Sequence, residues 1–250
     1  MTLSLLKSLT GRVLVESHRG AERLAPENSW RGLEIARQGG ADFIEVDVQL
    51  SRDGIAFLRH NYSLPDGRAC RKVTWSELEK VTIQGEELAR LEDVLLWAQE
   101  VDAQLSLDLK TAFVPEGSLT DEVIRLIDRT QTADRVLLLA WDHNEIARAK
   151  QAYPELMTRA LVRARLVDLP TLIKSAGADC VSLSYDLIRP GDVEQAHALG
   201  VAIMLAEMWQ PDFDFVRNMG VDMVSWGDPI EAKQQLGYVV TRDDGCRTLD

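Results

Sequence analysis

The segment FIEVDVQL, residues 43–50, alternates apolar and polar side chains, and two of the polar ones are carboxylates. Side chains of an extended strand point to opposite faces with period two, so Ile44, Val46, Val48 and Leu50 share one face and Glu45, Asp47 and Gln49 the other. QLSLDLK, residues 104–110, repeats the pattern, with Leu105, Leu107 and Leu109 opposed to Ser106, Asp108 and Lys110. Two more apolar runs lead into imidazoles: RVLVES into His18 and Arg19, and IAFLRH into His60. Carboxylates gathered in an apolar interior repel one another and lose hydration unless something neutralises them. A hard divalent cation does this, and oxygen ligation by Glu45, Asp47 and Asp108 suits Mg²⁺ or Ca²⁺ better than Zn²⁺. His18 and His60 at strand ends add a base and an acid that work near neutral pH.

Such residues need a frame of parallel strands. Short apolar, β-branched runs recur at 12–17, 43–50, 55–60, 104–110, 135–141, 156–162, 180–185, 201–206 and 222–226, with amphipathic helical stretches between most of them. The second and third runs are joined only by SRDG. A parallel connection needs about a dozen residues, so 55–60 must return beside 43–50 through the Asp53-Gly54 turn. Pairing Arg52 with Asp53 across that turn puts His60 opposite Glu45. Eight strands remain, each followed by one helix, the second helix being delayed to about residue 91. The expected architecture is a (β/α)8 TIM barrel forming one domain over 1–250. Residues 51–90, including the return strand, form an insertion after the second strand, and the site lies at the C-terminal strand ends. A doubly wound open sheet ranks second.

Composition narrows the partners. The 250 residues carry 28 Lys and Arg against 40 Asp and Glu, a formal net charge of −12. Nucleic acid or an anionic membrane would require a basic face, so neither is the expected partner. The start lacks a signal-type apolar run and no stretch of about 18 apolar residues occurs, which predicts a soluble cytoplasmic protein without stable membrane association. The oligomeric state leaves no sequence signal. Cys70, Cys180 and Cys246 are odd in number and form no CxxC pair, arguing against a disulfide framework or a thiolate zinc site, and Cys180 reads as a small buried hydrophobe. His143 reads as a helix start and His197 as a helix surface. Trp141, Tyr185, Trp209 and Trp226, near strand ends, are candidates to line a pocket or to pack.

The order of motifs resembles a known family. His18-Arg19-Gly20, then Pro26-Glu27-Asn28-Ser29, then Gly40-Ala41-Asp42 running into the Glu45 and Asp47 strand, then Asp53-Gly54 and His60, is similar to the signature of the glycerophosphodiester phosphodiesterases. Arg90-Leu91-Glu92-Asp93-Val94-Leu95 resembles the segment before that family's second helix, and Asp108-Leu109-Lys110 stands at its Glu-x-Lys motif. The resemblance implies a TIM barrel with a small insertion after the second strand. It also implies a divalent metal on Glu45, Asp47 and Asp108, catalytic His18 and His60, and phosphate contacts from Arg19 and Lys110. The chain departs from the family at Asp108, one methylene shorter than the usual Glu, and at Asn61, where Asp is favoured. It departs again at 61–90, which lacks the usual arginine- and threonine-rich segment, and at Trp226-Gly227-Asp228-Pro229, where Thr-Asp-x-Pro is typical.

The implied reaction is hydrolysis of a small-molecule glycerophosphodiester to glycerol 3-phosphate and an alcohol. By resemblance, the glycerol 2-hydroxyl attacks phosphorus with His18 as base, His60 protonates the departing alcohol, and the cyclic phosphate is hydrolysed with the roles reversed. Alternatives are a phospholipase D-type enzyme that releases the cyclic phosphate, a phosphodiesterase for a sugar-linked diester, and a non-catalytic phosphodiester-binding barrel.

Overall fold

The computed structural model describes residues 5–206 and 212–238. In chain order the strands are β1 (Leu14–Ser17), β2 (Phe43–Leu50), β3 (Ala56–Leu58), β4 (Thr82–Ile83), β5 (Glu86–Glu87), β6 (Leu105–Leu109), β7 (Val136–Ala140), β8 (Met157–Val162), β9 (Cys180–Ser184), β10 (Ala202–Ala206) and β11 (Met223–Trp226). β1, β2 and β6 to β11 are parallel neighbours, and the sheet closes on itself where β1 pairs with both β11 and β2. The result is a closed eight-stranded TIM barrel rather than an open sheet. A helix follows each barrel strand, from Trp30–Gln38 after β1 and Leu91–Glu100 after β2 to Pro229–Gln235 after β11. Side chains of Ser29, Asp142, Asp168, Asp212 and Asp228 accept from first-turn N–H groups, fixing where five of these helices begin.

Alternation along the strands separates two environments. Val46, Val48, Leu105, Leu107 and Leu138 face outward into the layer packed against the helices. Inside, Leu14, Phe43, Leu137, Met204 and Met223 fill the N-terminal end of the barrel with Leu5. Each buried side chain of this kind stabilises the fold by about 1.5–3 kcal/mol. Above that apolar floor Glu16 and Arg159 form a buried ion pair, with guanidinium contacts of 2.7 and 3.1 Å. Polar side chains are thereby reserved for the middle and the C-terminal mouth. Cys180 is buried in the floor, and burial pushes its thiol up to about 12.

β3 runs antiparallel to β2, but one residue away from the expected register. Val48 faces Leu58, Gln49 faces Phe57 and Leu50 faces Ala56. Ser51 N donates to Ile55 O, so the loop is Arg52-Asp53-Gly54, three residues rather than two, with Gly54 at φ 82°. A three-residue hairpin loop ending in a left-handed glycine shifts every cross-strand partner by one. The expected pairing of His60 with Glu45 is therefore replaced by Arg59 N donating to Asp47 O. No helix among the described residues is long and apolar enough to cross a membrane.

Candidate active site

The register of two neighbouring strands assembles the acidic cluster. β2 and β6 pair so that Asp47 lies beside Asp108 and Glu45 beside Ser106. One oxygen from each of Glu45, Asp47 and Asp108 lies within 4.8 Å of the others, and all three residues are buried. Lys110 reaches back into the cluster, its Nζ 2.7 Å from Asp47 Oδ1 and also hydrogen-bonded to Asp108.

The loop after β1 supplies the opposite wall. Arg19 adopts φ 49°, a left-handed conformation that a long side chain rarely takes, and its backbone N–H donates to Glu45 Oε2 at 2.7 Å. Its guanidinium lies 3.5 Å from Asp47 Oδ2 and donates to Glu27 at 2.7 Å. Gly20 turns at φ 79°, where a Cβ would come within 3.0 Å of the Gly32 backbone, so glycine at this position is a steric requirement of the turn. Asn28, also left-handed at φ 58°, donates its amide to Asp47 Oδ2 and accepts from Asp47 N.

His18 follows β1 directly. Its Nδ1 lies 2.6 Å from Glu22 Oε1 and its Nε2 3.9 Å from Glu45 Oε2. A carboxylate only accepts, so Glu22 fixes the ring proton on Nδ1 and leaves Nε2 facing the cluster. Burial lowers the His18 pKa, but the Glu22 hydrogen bond and the charges of Glu45 and Glu22 outweigh it and raise it to about 9. His60 lies beyond the end of β3, close enough to help lower the pKa of Asp47. Gln49 holds this loop, its side-chain amide donating to the carbonyls of Arg59 at 2.8 Å and Asn61 at 2.7 Å.

The electrostatics call for a cation. Burial and the Asp47 charge raise Glu45, and burial raises Asp108 against the pull of Lys110. At Asp47 burial is overcome by Lys110, Arg19 and His60, and its pKa falls. Asp108 Oδ1, inside this cluster, is buried without a hydrogen-bond donor. An all-oxygen donor set with an orphaned carboxylate oxygen fits a hard divalent ion.

The structure thus brings together His18, Arg19, Glu45, Asp47, Asp108 and Lys110, with His60 beside them. The aromatic candidates are more scattered. Trp141 is 46% exposed beyond β7, Tyr185 packs edge-on to Phe215 at 5.0 Å, and Trp226 is buried with its indole N–H on Glu231. Trp209 lies outside the described residues. His143 begins its helix and bonds Leu161 O, while His197 bonds Asp222. Asn28, Glu22 and the anchoring role of Gln49 were not singled out from the residue pattern. Asn28 stands inside the Pro-Glu-Asn-Ser motif and Gln49 is the third polar residue of its alternating strand, signals that could have found both.

Comparison with known proteins points in one direction. A sequence model of the glycerophosphoryl diester phosphodiesterase family matches residues 18–230. A glycerophosphodiester phosphodiesterase from Caldanaerobacter subterraneus is 25% identical over 234 residues, covering 87% of this chain and 95% of the relative. The crystal structure of a glycerophosphodiester phosphodiesterase from Parabacteroides distasonis superposes with a TM-score of 0.83 at 22% identity, covering 90% of this chain and 97% of that one. An Oleispira antarctica phosphodiesterase, in complex with the product sn-glycerol-3-phosphate, superposes with a TM-score of 0.82 at 21% identity over 92% of this chain and 99% of that one.

Proposed function

Because the chain belongs to the glycerophosphoryl diester phosphodiesterase family, we propose that its barrel mouth cleaves glycerophosphodiesters by metal-assisted acid–base catalysis, releasing glycerol 3-phosphate and an alcohol. The observation that carries this reading is the buried Glu45, Asp47 and Asp108 cluster, with Asp108 Oδ1 lacking a donor and His18 Nε2 3.9 Å from Glu45. These three carboxylates would hold one divalent ion, Mg²⁺ or Ca²⁺, which when bound polarises the phosphoryl oxygens and offsets the charge of the transition state.

The chain's own residues do the rest. Arg19 and Lys110 contact the non-bridging oxygens and draw the phosphate toward the mouth. A cation held by Glu45 would offset part of the negative charge that raises His18, and in its unprotonated form His18 Nε2, its ring oriented by Glu22, takes the proton of the glycerol 2-hydroxyl as that oxygen attacks phosphorus. The bond from phosphorus to the leaving alcohol breaks, and His60 supplies the proton the alcohol needs. Water then opens the cyclic phosphate with the two roles exchanged, and one domain over residues 1–250 carries the whole reaction.

The test is phosphorus NMR on a glycerophosphodiester mixed with the enzyme and Mg²⁺ or Ca²⁺. A phosphomonoester appearing through a transient cyclic ester, abolished by EDTA and restored by the metal, is the expected result. A cyclic ester that accumulates without opening would make the chain a phospholipase D-type lyase instead. Asp108→Ala with unchanged activity and unchanged metal affinity would falsify the three-carboxylate site.

A further inference from the structure

A cavity of 260 Å³ opens beside Lys110, between the insertion and the loop that follows β6. Its walls include Tyr62, Ala69 and Arg71 from the insertion and Phe113 and Val114 from the loop. Lys110 belongs to both this cavity and the acidic cluster, so a diester whose phosphate meets Lys110 can place one of its two ester arms here. The volume is below the roughly 300–1,000 Å³ of pockets for drug-sized ligands, which suits a headgroup rather than an acyl chain.

The chemistry of the walls selects among headgroups. No carboxylate lines the cavity among the described residues. Lys110 spends its charge on Asp47 and Asp108, whereas Arg71 makes no ion pair among the described residues and so presents an uncompensated positive charge. Tyr62 and Phe113 stand edge to face, ring centroids 5.4 Å apart, as one wall. Phe113 is 70% exposed and held at φ 68°, a conformation costly for a bulky residue, so the chain accepts strain to project this ring over the opening. An aromatic wall alone would welcome a quaternary ammonium, but the unpaired guanidinium beside it repels one.

Resting on the phosphodiesterase reading above, we infer that this cavity receives the leaving alcohol and that Arg71 makes the enzyme prefer alcohols bearing an anionic group over cationic ones such as choline. Arg71 is a specificity residue and takes no part in bond breaking. Its effect falls on the ratio of substrates and weakens as salt rises.

The experiment compares kcat/KM for three glycerophosphodiesters whose leaving alcohols are inositol 4-phosphate, inositol and choline. The wild type should prefer them in that order. Arg71→Ala should shrink the ratio of the first to the last by about tenfold, the scale of one partly solvated charge contact, and Arg71→Glu should reverse the order. Arg71→Lys should keep it, and the neutral inositol diester should change least, which certifies an intact catalytic centre. Binding of free inositol 4-phosphate, followed by calorimetry, should be lost in Arg71→Glu. Cleavage of all three diesters with no dependence on charge overturns the cavity assignment and leaves the reaction standing. Binding that depends on Arg71 without cleavage of any diester supports the cavity and overturns the reaction.

Discussion

Asn28 and Asp47 are joined by two hydrogen bonds, Asn28 Nδ2 to Asp47 Oδ2 at 2.7 Å and Asp47 N to Asn28 Oδ1 at 2.9 Å. One side chain therefore satisfies a buried strand N–H and aims the carboxylate borne by the same residue. Asn28→Ala leaves that N–H without its acceptor, at a cost of about 1–3 kcal/mol. It should also lower metal affinity and turnover by about 10- to 100-fold, the usual loss when a partner that orients a ligand is removed. Asn28→Gly relieves the left-handed backbone while deleting the same amide. Calorimetric metal binding should fall equally in the two variants, and recovery in the glycine variant would reduce Asn28 to a backbone role.

His18 and Glu22 form a pair whose titration is measurable. In the metal-free protein His18 should titrate near 9, because the Glu22 hydrogen bond and nearby carboxylates overcome its burial. A histidine raised above its ordinary 6.5 stabilises the fold fully below pH 6.5 and loses that contribution as pH rises through about 9. Glu22→Gln should move the His18 ring resonances to a distinctly lower midpoint in an NMR titration. It should also flatten the loss of stability across that window. An unchanged midpoint would mean that Glu45 alone sets the proton affinity.

Glu16 and Arg159 are buried between the apolar floor and the acidic cluster, Arg159 Nη1 lying 2.7 Å from Glu16 Oε2. Removing one partner strands a charge in the interior, so Arg159→Met should cost about 3–5 kcal/mol in urea denaturation. The double variant Glu16→Leu/Arg159→Met removes both charges and should recover most of that loss. Recovery of stability without recovery of turnover would show that the pair also supports the cluster above it, since Arg159 is felt electrostatically at both Glu45 and Asp108.

The barrel was legible because alternation and spacing are local signals. Residues 43–50 form β2 at the limits read from their alternating pattern, and the helix expected from about residue 91 is Leu91–Glu100. Asp47 and Asp108 were placed on inward faces by the same period of two, although only the β2 to β6 register makes them neighbours. The hairpin register lies one residue from the expected one because Asp-Gly serves two-residue and three-residue loops alike, and Ser51 selects the longer one by bonding Asp53 and Ile55 N. Glu16 and Arg159 are 143 residues apart in the chain, and no local pattern pairs them. The cavity beside Lys110 was equally hidden, since Tyr62 and Phe113 belong to irregular segments and Arg71 to a single 3-10 turn, Cys70–Lys72, too short to show a period.

Gln49 links the hairpin register to the chemistry. β3 ends at Leu58, and nothing in its ladder reaches His60. The Gln49 side-chain amide, buried on the same face of β2 as Glu45 and Asp47, instead holds the carbonyls of Arg59 and Asn61 on either side of that histidine. The His60 carbonyl at 3.3 Å is a weaker third contact. Gln49→Leu keeps the apolar stem and deletes the donors, so the loop loses its anchor while the acidic cluster is untouched. The expected outcome is a fall in kcat of about 10- to 100-fold with metal affinity unchanged, because the acid proposed at His60, displaced by about 1 Å, no longer reaches the leaving oxygen. A diester with a more acidic leaving alcohol, such as 4-nitrophenol, needs little protonation and should be affected far less. Equal losses on the alkyl and nitrophenyl diesters would show that Gln49 positions something other than the acid.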